Sequence, residues 1–142
     1  MREVTSMRCT HRTTLQVLAK ALEAASLRQE AIAQNLANVD TPGYKAIDVS
    51  FEDQLKTALA RADSLPMRVT HPKHLAKPSS AAAAQPVLVR KTGTVSRADG
   101  NNVDPEAEMA ALAENQLTYS ALTRLVSEKY NLLKYTISEG RR

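Results

Sequence analysis

The sequence predicts an all-α chain whose long N- and C-terminal helices fold back on each other as an antiparallel, coiled-coil-like pair. Three observations predict it. Leu15, Leu18, Leu22, Ala25, Gln29, Ile32, Leu36 and Val39 fall at alternating steps of three and four, the spacing that keeps one stripe of a helix on one neighbour. Met109, Leu112, Gln116, Tyr119, Thr123, Val126, Tyr130, Leu133 and Ile137 repeat that alternation near the other end. Between them Pro42-Gly43 reverses the chain, and no period of either kind survives from Asp63 to Asn102.

Met1 to Arg12 show no period and are expected to stay mobile until something docks on them. Thr13 and Gln16 form a T-x-x-Q capping box, so the first helix is expected from about Thr14 to Asn38, roughly 37 Å at 1.5 Å per residue. A second stripe, Ala24, Leu27 and Ala31, lies beside the main seam and is expected to face other molecules. Pro42 disfavours helical geometry at Thr41, and Gly43 supplies the positive φ that the third position of a type II turn needs.

After the turn, Ile47 and Val49 alternate briefly. Ser50 then caps a short helix with Phe51, Leu55, Ala58, Leu59 and Ala62 on one face, closed by Pro66. The tract that follows carries Pro66, Pro72, Pro78, Pro86 and the run Ser79 to Ala84, and reads as a loop or linker. Val87-Leu88-Val89 is one short strand with no visible partner, and a lone strand is not a sheet. Asp99-Gly100-Asn101-Asn102 is turn chemistry, and Asp104-Pro105-Glu106 gives the second helix an N-cap, a first-turn proline and an acidic first turn. Gly140 marks its end, and Ala113, Leu117, Ala121 and Leu125 form its second row. The chain thus divides into a mobile 1–12, paired helices at 13–40 and 104–140, and a connecting region at 41–103.

One Phe, no Trp and an Ala-rich apolar fraction leave no large aromatic core. The formal charge of +4 is spread along the chain apart from Arg2, Arg8 and Arg12, and aromatics are not interleaved with it, so nucleic-acid binding is not expected. Cys9 is alone and forms no intrachain disulfide. No apolar run approaches the ~20 residues of a membrane span, and the N-terminus lacks the apolar stretch of a signal peptide.

No nucleophile elbow, phosphate loop, zinc signature or catalytic carboxylate pair is present, so neither catalysis nor a small-molecule substrate or cofactor is expected. His71-Pro72-Lys73-His74 lacks helical spacing and an acidic or thiol neighbour, and reads as a solvated loop. Asp99 to Asp104 lacks the ligand order of a calcium loop. Asn35, Gln116 and Thr123 sit in or beside the helix seams, where a buried polar group fixes register or a small rotation turns it to solvent. Tyr44, Tyr119 and Tyr130 read as packing residues with their hydroxyls at an edge.

The run Asn35-Leu36-Ala37-Asn38 followed by Thr41-Pro42-Gly43-Tyr44-Lys45 resembles the N-terminal signature of the bacterial flagellar rod and hook proteins. Asp99 to Asp104, Met109 to Leu117 and Tyr130 to Ile137 are similar to the C-terminal half of a proximal-rod member, while residues from about Ala62 to Ala98 match nothing. The resemblance implies a subunit that leaves the cytoplasm uncleaved through the flagellar type III export apparatus and polymerises into a periplasm-spanning rod. It implies as partners other copies, other rod subunits, and the basal-body ring with its rod adaptor. By that analogy Leu15, Leu18, Leu22, Ile32, Leu36, Met109, Leu112, Tyr119, Val126, Tyr130, Leu133 and Ile137 are subunit-packing residues. Asn35, Asn38, Thr41, Pro42, Gly43 and Tyr44 form the family turn, which sets the exit angle of the connecting segment. Phe51 and Leu55 fit the docking element presented to the export gate; as i and i+4 residues they equally form the core face of the short helix.

The residues alone lead to a related expectation. Two helices with a flexible middle bury little, so a single copy should be weakly folded and completed by neighbours. The rivals are another rod subunit of the same architecture and a cytosolic helical adaptor that folds on one partner.

Overall fold

The computed structural model describes residues 2–62, 84–93 and 99–139. In chain order they form α1 (Arg2–Ala37), β1 (Ile47–Ser50), α2 (Glu52–Ala62), β2 (Val87–Arg90) and α3 (Pro105–Glu139). The described chain is mostly α-helical, as expected, with one small sheet that the sequence reading lacked.

Helix α1 starts at Arg2, not at Thr14, so Thr13 and Gln16 are interior residues and no capping box forms there. The cause is the absence of a breaker. No Gly or Pro occurs before Pro42, and each added residue then costs only its modest helix propensity. At the far end Asn38 N–H divides between the carbonyls of Gln34 (3.2 Å) and Asn35 (3.1 Å), and the helix stops. The next turn closes with Tyr44 N–H donating to Thr41 C=O at 3.3 Å, and Gly43 between them takes φ +72°.

Strands β1 and β2 pair antiparallel, with Ile47 opposite Arg90 and Ser50 opposite Val87. Val87 to Val89 therefore have the partner that the sequence reading denied them. Ser50 belongs to β1 and does not cap α2; the carbonyl of Phe51 accepts the first helical bond, from Leu55 N–H at 2.8 Å. Phe51 stands at the end of the strand and drops into the core. Ala24 and Ala31 of α1, Val49, Phe51 and Ala84 are buried together, ringed by Ala21, Leu27, Ile47, Leu55 and Ala58. Burying the Phe51 side chain alone is worth about 1.5–3 kcal/mol.

Small alanines on α1 let β1 approach closely, and Leu55 and Ala58 of α2 pack at the edge of this core. The second stripe of α1 is thus covered inside one copy, which overturns the expectation that it faces other molecules.

Helix α3 begins as its sequence predicts. Asp104 Oδ1 accepts from Glu106 N–H at 3.0 Å, Pro105 occupies the first helical position, and Glu106 and Glu108 lie in the first turn. It runs antiparallel to α1, since Glu108 meets Asn35 and Asn115 meets Ala25 and Gln29. Its paired face, however, is rotated from the predicted one. Leu112, Val126 and Leu133 are half-buried as expected, but Asn115, Leu122 and Lys129 replace Gln116, Thr123 and Tyr130 as the inward partners. The two rows share Leu112, Val126 and Leu133, and the polar bonds of Glu108 and Asn115 select between them.

Candidate assembly site

Two turns far apart in sequence grip each other where α1 ends and α3 begins. Asn101, fully buried, aims its amide nitrogen at the carbonyls of Asn38 (3.1 Å), Val39 (2.9 Å) and Thr41 (3.0 Å). These lie just past the helix end, where backbone acceptors have run out of helical partners. The Asn101 carbonyl oxygen accepts from Val103 N–H at 2.8 Å, so one side chain caps α1 and shapes the approach to α3.

The grip is reciprocal. Gly43 N–H donates to Asp99 C=O at 3.1 Å, Lys45 Nζ to Gly100 C=O at 2.7 Å, and Ala46 N–H to Asn102 Oδ1 at 2.6 Å. Asn102 Nδ2 continues to Lys91 C=O at 2.6 Å, which ties in the end of β2. Gly100 takes φ +81°, and a Cβ there would lie 3.8 Å from Gly43 Cα, so the two glycine backbones pass face to face.

Asn35 is the second hub. Its Oδ1 accepts from Ile47 N–H at 2.8 Å and from Tyr44 Oη–H at 3.4 Å, while its Nδ2 donates to Ile47 C=O at 2.8 Å and Glu108 Oε1 at 3.1 Å. Of the polar residues noted in the seams, Asn35 is thus buried, whereas Gln116 and Thr123 face outward. Asn38 and Thr41 close the turn from outside, with Asn38 Nδ2 on Gln34 C=O at 2.8 Å and Thr41 Oγ1 on Asn38 Oδ1 at 3.2 Å.

Charged pairs brace the sheet. Burial pushes the Asp48 carboxyl up, but the Lys91 ammonium at 3.0 Å, the Val49 N–H and the nearby Arg28 charge outweigh it and hold the group below its ordinary value. Glu52 behaves alike. Burial raises it, while Arg28 at 2.6 Å and the backbone N–H groups of Glu52 and Phe51 bring it below the usual range.

The packing residues named from sequence separate into two groups. Leu15, Leu18, Leu22, Leu36, Leu112, Val126 and Leu133 are half-buried and Ile32 is buried; Met109, Tyr119, Tyr130 and Ile137 are exposed. Exposed with them are Leu117 (72%), Leu125 (47%), Leu132 and Tyr135; at about 100° per residue Leu117, Leu125, Leu132 and Tyr135 lie along one flank of α3 and Tyr119, Tyr130 and Ile137 along the other, with Ser120, Arg124, Ser127 and Asn131 between them. Phe51 is buried and Leu55 half-buried, which places both in the core of the folded copy. His71 and His74 lie outside the described residues; among the described residues no group of three His, Cys, Asp or Glu is placed to hold a metal ion, and no helix is long and apolar enough to cross a membrane.

Sequence reasoning missed two members of this site. Asn101 was legible only as turn chemistry, because its acceptors are some sixty positions away. Asn115 stands one position from Gln116, and nothing local distinguishes the two.

A hairpin of long helices, locked at its closed end by buried asparagines and carrying exposed apolar side chains along both flanks of α3, has the build of a structural protein. The family model for "Flagella basal body rod protein" matches residues 15–45, the C-terminal part of α1 through the turn. The chain is 35% identical to the flagellar basal body rod protein FlgB of Bacillus subtilis (strain 168), over 90% of this chain and 95% of that one. It is 35% identical to FlgB of Salmonella typhimurium, over 77% of this chain and 82% of the relative, and 32% identical to FlgB of Escherichia coli (strain K12), over 81% and 88%. The chain belongs to the FlgB family of flagellar basal body rod proteins.

Proposed function

We propose that this structural rod subunit sits in the proximal rod and polymerises through α1 and α3, with the clasped turns fixing the angle at which the helix pair meets its neighbours. The carrying observation is the two flanks of α3, where Leu117, Leu125 and Leu132 on one side and Tyr130 and Ile137 on the other stand exposed in a single copy of a chain from a rod family. A surface of that kind is stabilised by a second molecule, at roughly 25 cal/mol per Å² of apolar area covered. The partners are further copies, other rod subunits, and the basal-body ring with its adaptor.

Export through the flagellar type III apparatus precedes assembly in this reading. Phe51 and Leu55 are core residues of the folded copy, so they are available to an export gate only while the chain is unfolded. Packing and export are then successive uses of one pair. Expression in a flagellated host lacking its own copy, followed by isolation of basal bodies, tests the reading: the chain should co-purify with the rod and restore motility. Secretion as a monomer that never joins the rod would overturn the reading, and retention in a cytoplasmic complex of fixed stoichiometry would favour the adaptor instead.

A further inference from the structure

Between α1 and α3, near the middle of the pair, a groove of about 320 Å³ is lined by Ala25, Ser26, Gln29, Asn115, Gln116 and Tyr119. Asn115 is 3% exposed, and its nitrogen is fully used, donating to Ala25 C=O at 3.0 Å and Gln29 Oε1 at 3.1 Å. Its Oδ1 is buried and accepts from no described group. The amide cannot be turned to relieve this, because the Ala25 carbonyl only accepts and so holds the nitrogen on its side. A buried acceptor without a donor is unfavourable, and its persistence at an open groove points to a donor brought from outside.

The walls are more apolar than polar and carry no charged residue, which suits an aromatic ring with a neutral donor at its tip. Tyr130 is such a group: it lies on α3, is 62% exposed, and donates to no described residue. We infer that the groove at Asn115 receives Tyr130 of a second copy, whose hydroxyl donates to Asn115 Oδ1. Seating it requires side chains that line the groove to shift, since Oδ1 is closed to solvent in the single copy. Donor and acceptor sit fifteen positions apart on one helix, about 22 Å along its axis. A contact between two different places on the same helix is heterologous, and it propagates into an open stack where a self-complementary patch would close into a pair.

This inference rests on the polymerising reading above, and its test separates the two. In the flagellated host, chains carrying Cys9→Ser with Ser26→Cys and Tyr130→Cys are treated in isolated basal bodies with a short bismaleimide. A ladder of cross-linked copies is expected, and none when Glu128→Cys, on another face of α3, replaces the cysteine at 130. Chain present in basal bodies with no ladder, or with an equal ladder from position 128, overturns the inference while leaving the rod reading intact. Chain absent from basal bodies overturns both, unless cysteine at 130 itself blocks entry, in which case Tyr130→Phe decides. Tyr130→Phe and Asn115→Leu should each weaken self-association of the purified full chain about fivefold, and the double variant no further. Additive losses, or none, would overturn the contact.

Discussion

Asn101→Ala removes the side chain on which the closed end of the hairpin turns. In the native copy its nitrogen reaches three backbone carbonyls beyond α1, and its oxygen takes the N–H of Val103, a residue only 1% exposed. The Asn38 and Thr41 carbonyls keep a backbone donor each, from Thr41 N–H and Tyr44 N–H, so their loss is partial. Val103 N–H keeps none of the partners seen here and stays buried. One buried unsatisfied donor at about 1–3 kcal/mol, with a net hydrogen bond or two at about 1 kcal/mol each, sums to about 3 kcal/mol. Set against a typical domain stability of about 5–15 kcal/mol, that is a large loss. Urea unfolding of the dilute monomer followed by helical circular dichroism reads it directly, with Asn102→Ala, on the half-buried side of the clasp, as a milder comparison. A loss below about 1 kcal/mol for Asn101→Ala, or one no greater than for Asn102→Ala, would refute the clasp as the organiser of the helix pair.

Three further outcomes are expected. Gly43→Ala meets no atom within 4 Å but must hold φ +72°, so it should cost about 1 kcal/mol in urea unfolding through backbone conformation alone; a neutral substitution would contradict that geometry. Phe51→Ala should cost about 3–5 kcal/mol in the same assay, and together with Leu55→Ala should block export while synthesis continues; normal secretion of the double variant would remove the export role. Asp48 and Glu52 are both held below their ordinary values, so their contribution is complete above the unfolded carboxylate range near pH 4 and is lost as pH falls through the lower native values. Both side chains are largely exposed and screened, so the loss is small: the urea midpoint should decline more steeply with acidification in the parent than in Arg28→Ala, and equal slopes would show that Arg28 does not depress Glu52.

What was legible in the sequence follows the range of the forces involved. The helices, the Pro42-Gly43 turn and the Asp104-Pro105 start are set by neighbours within a turn of chain, and periodicity and capping chemistry show them. The first twelve residues show the limit of reading a pattern: helix needs no apolar period where nothing stops it, and α1 runs through to Arg2. The β1–β2 pair, the burial of Ala24 and Ala31, and the cap that Asn101 makes all depend on residues brought together across the fold, which local chemistry does not encode. The rotated face of α3 is the subtlest case. Leu112, Val126 and Leu133 belong to both rows, and only the buried Asn115 and the Glu108 to Asn35 contact distinguish them.

The claim that the exposed Leu117, Leu125 and Leu132 flank of α3 packs on neighbours, beside the row that packs on α1, is tested most directly by Leu117→Lys with Leu125→Lys. Both side chains are exposed in the single copy, so the variant monomer should unfold within about 0.5 kcal/mol of the parent. In the flagellated host the same variant should be secreted yet fail to join the basal body, leaving the cells non-motile. Motile cells with the variant chain built into their rods would contradict the account.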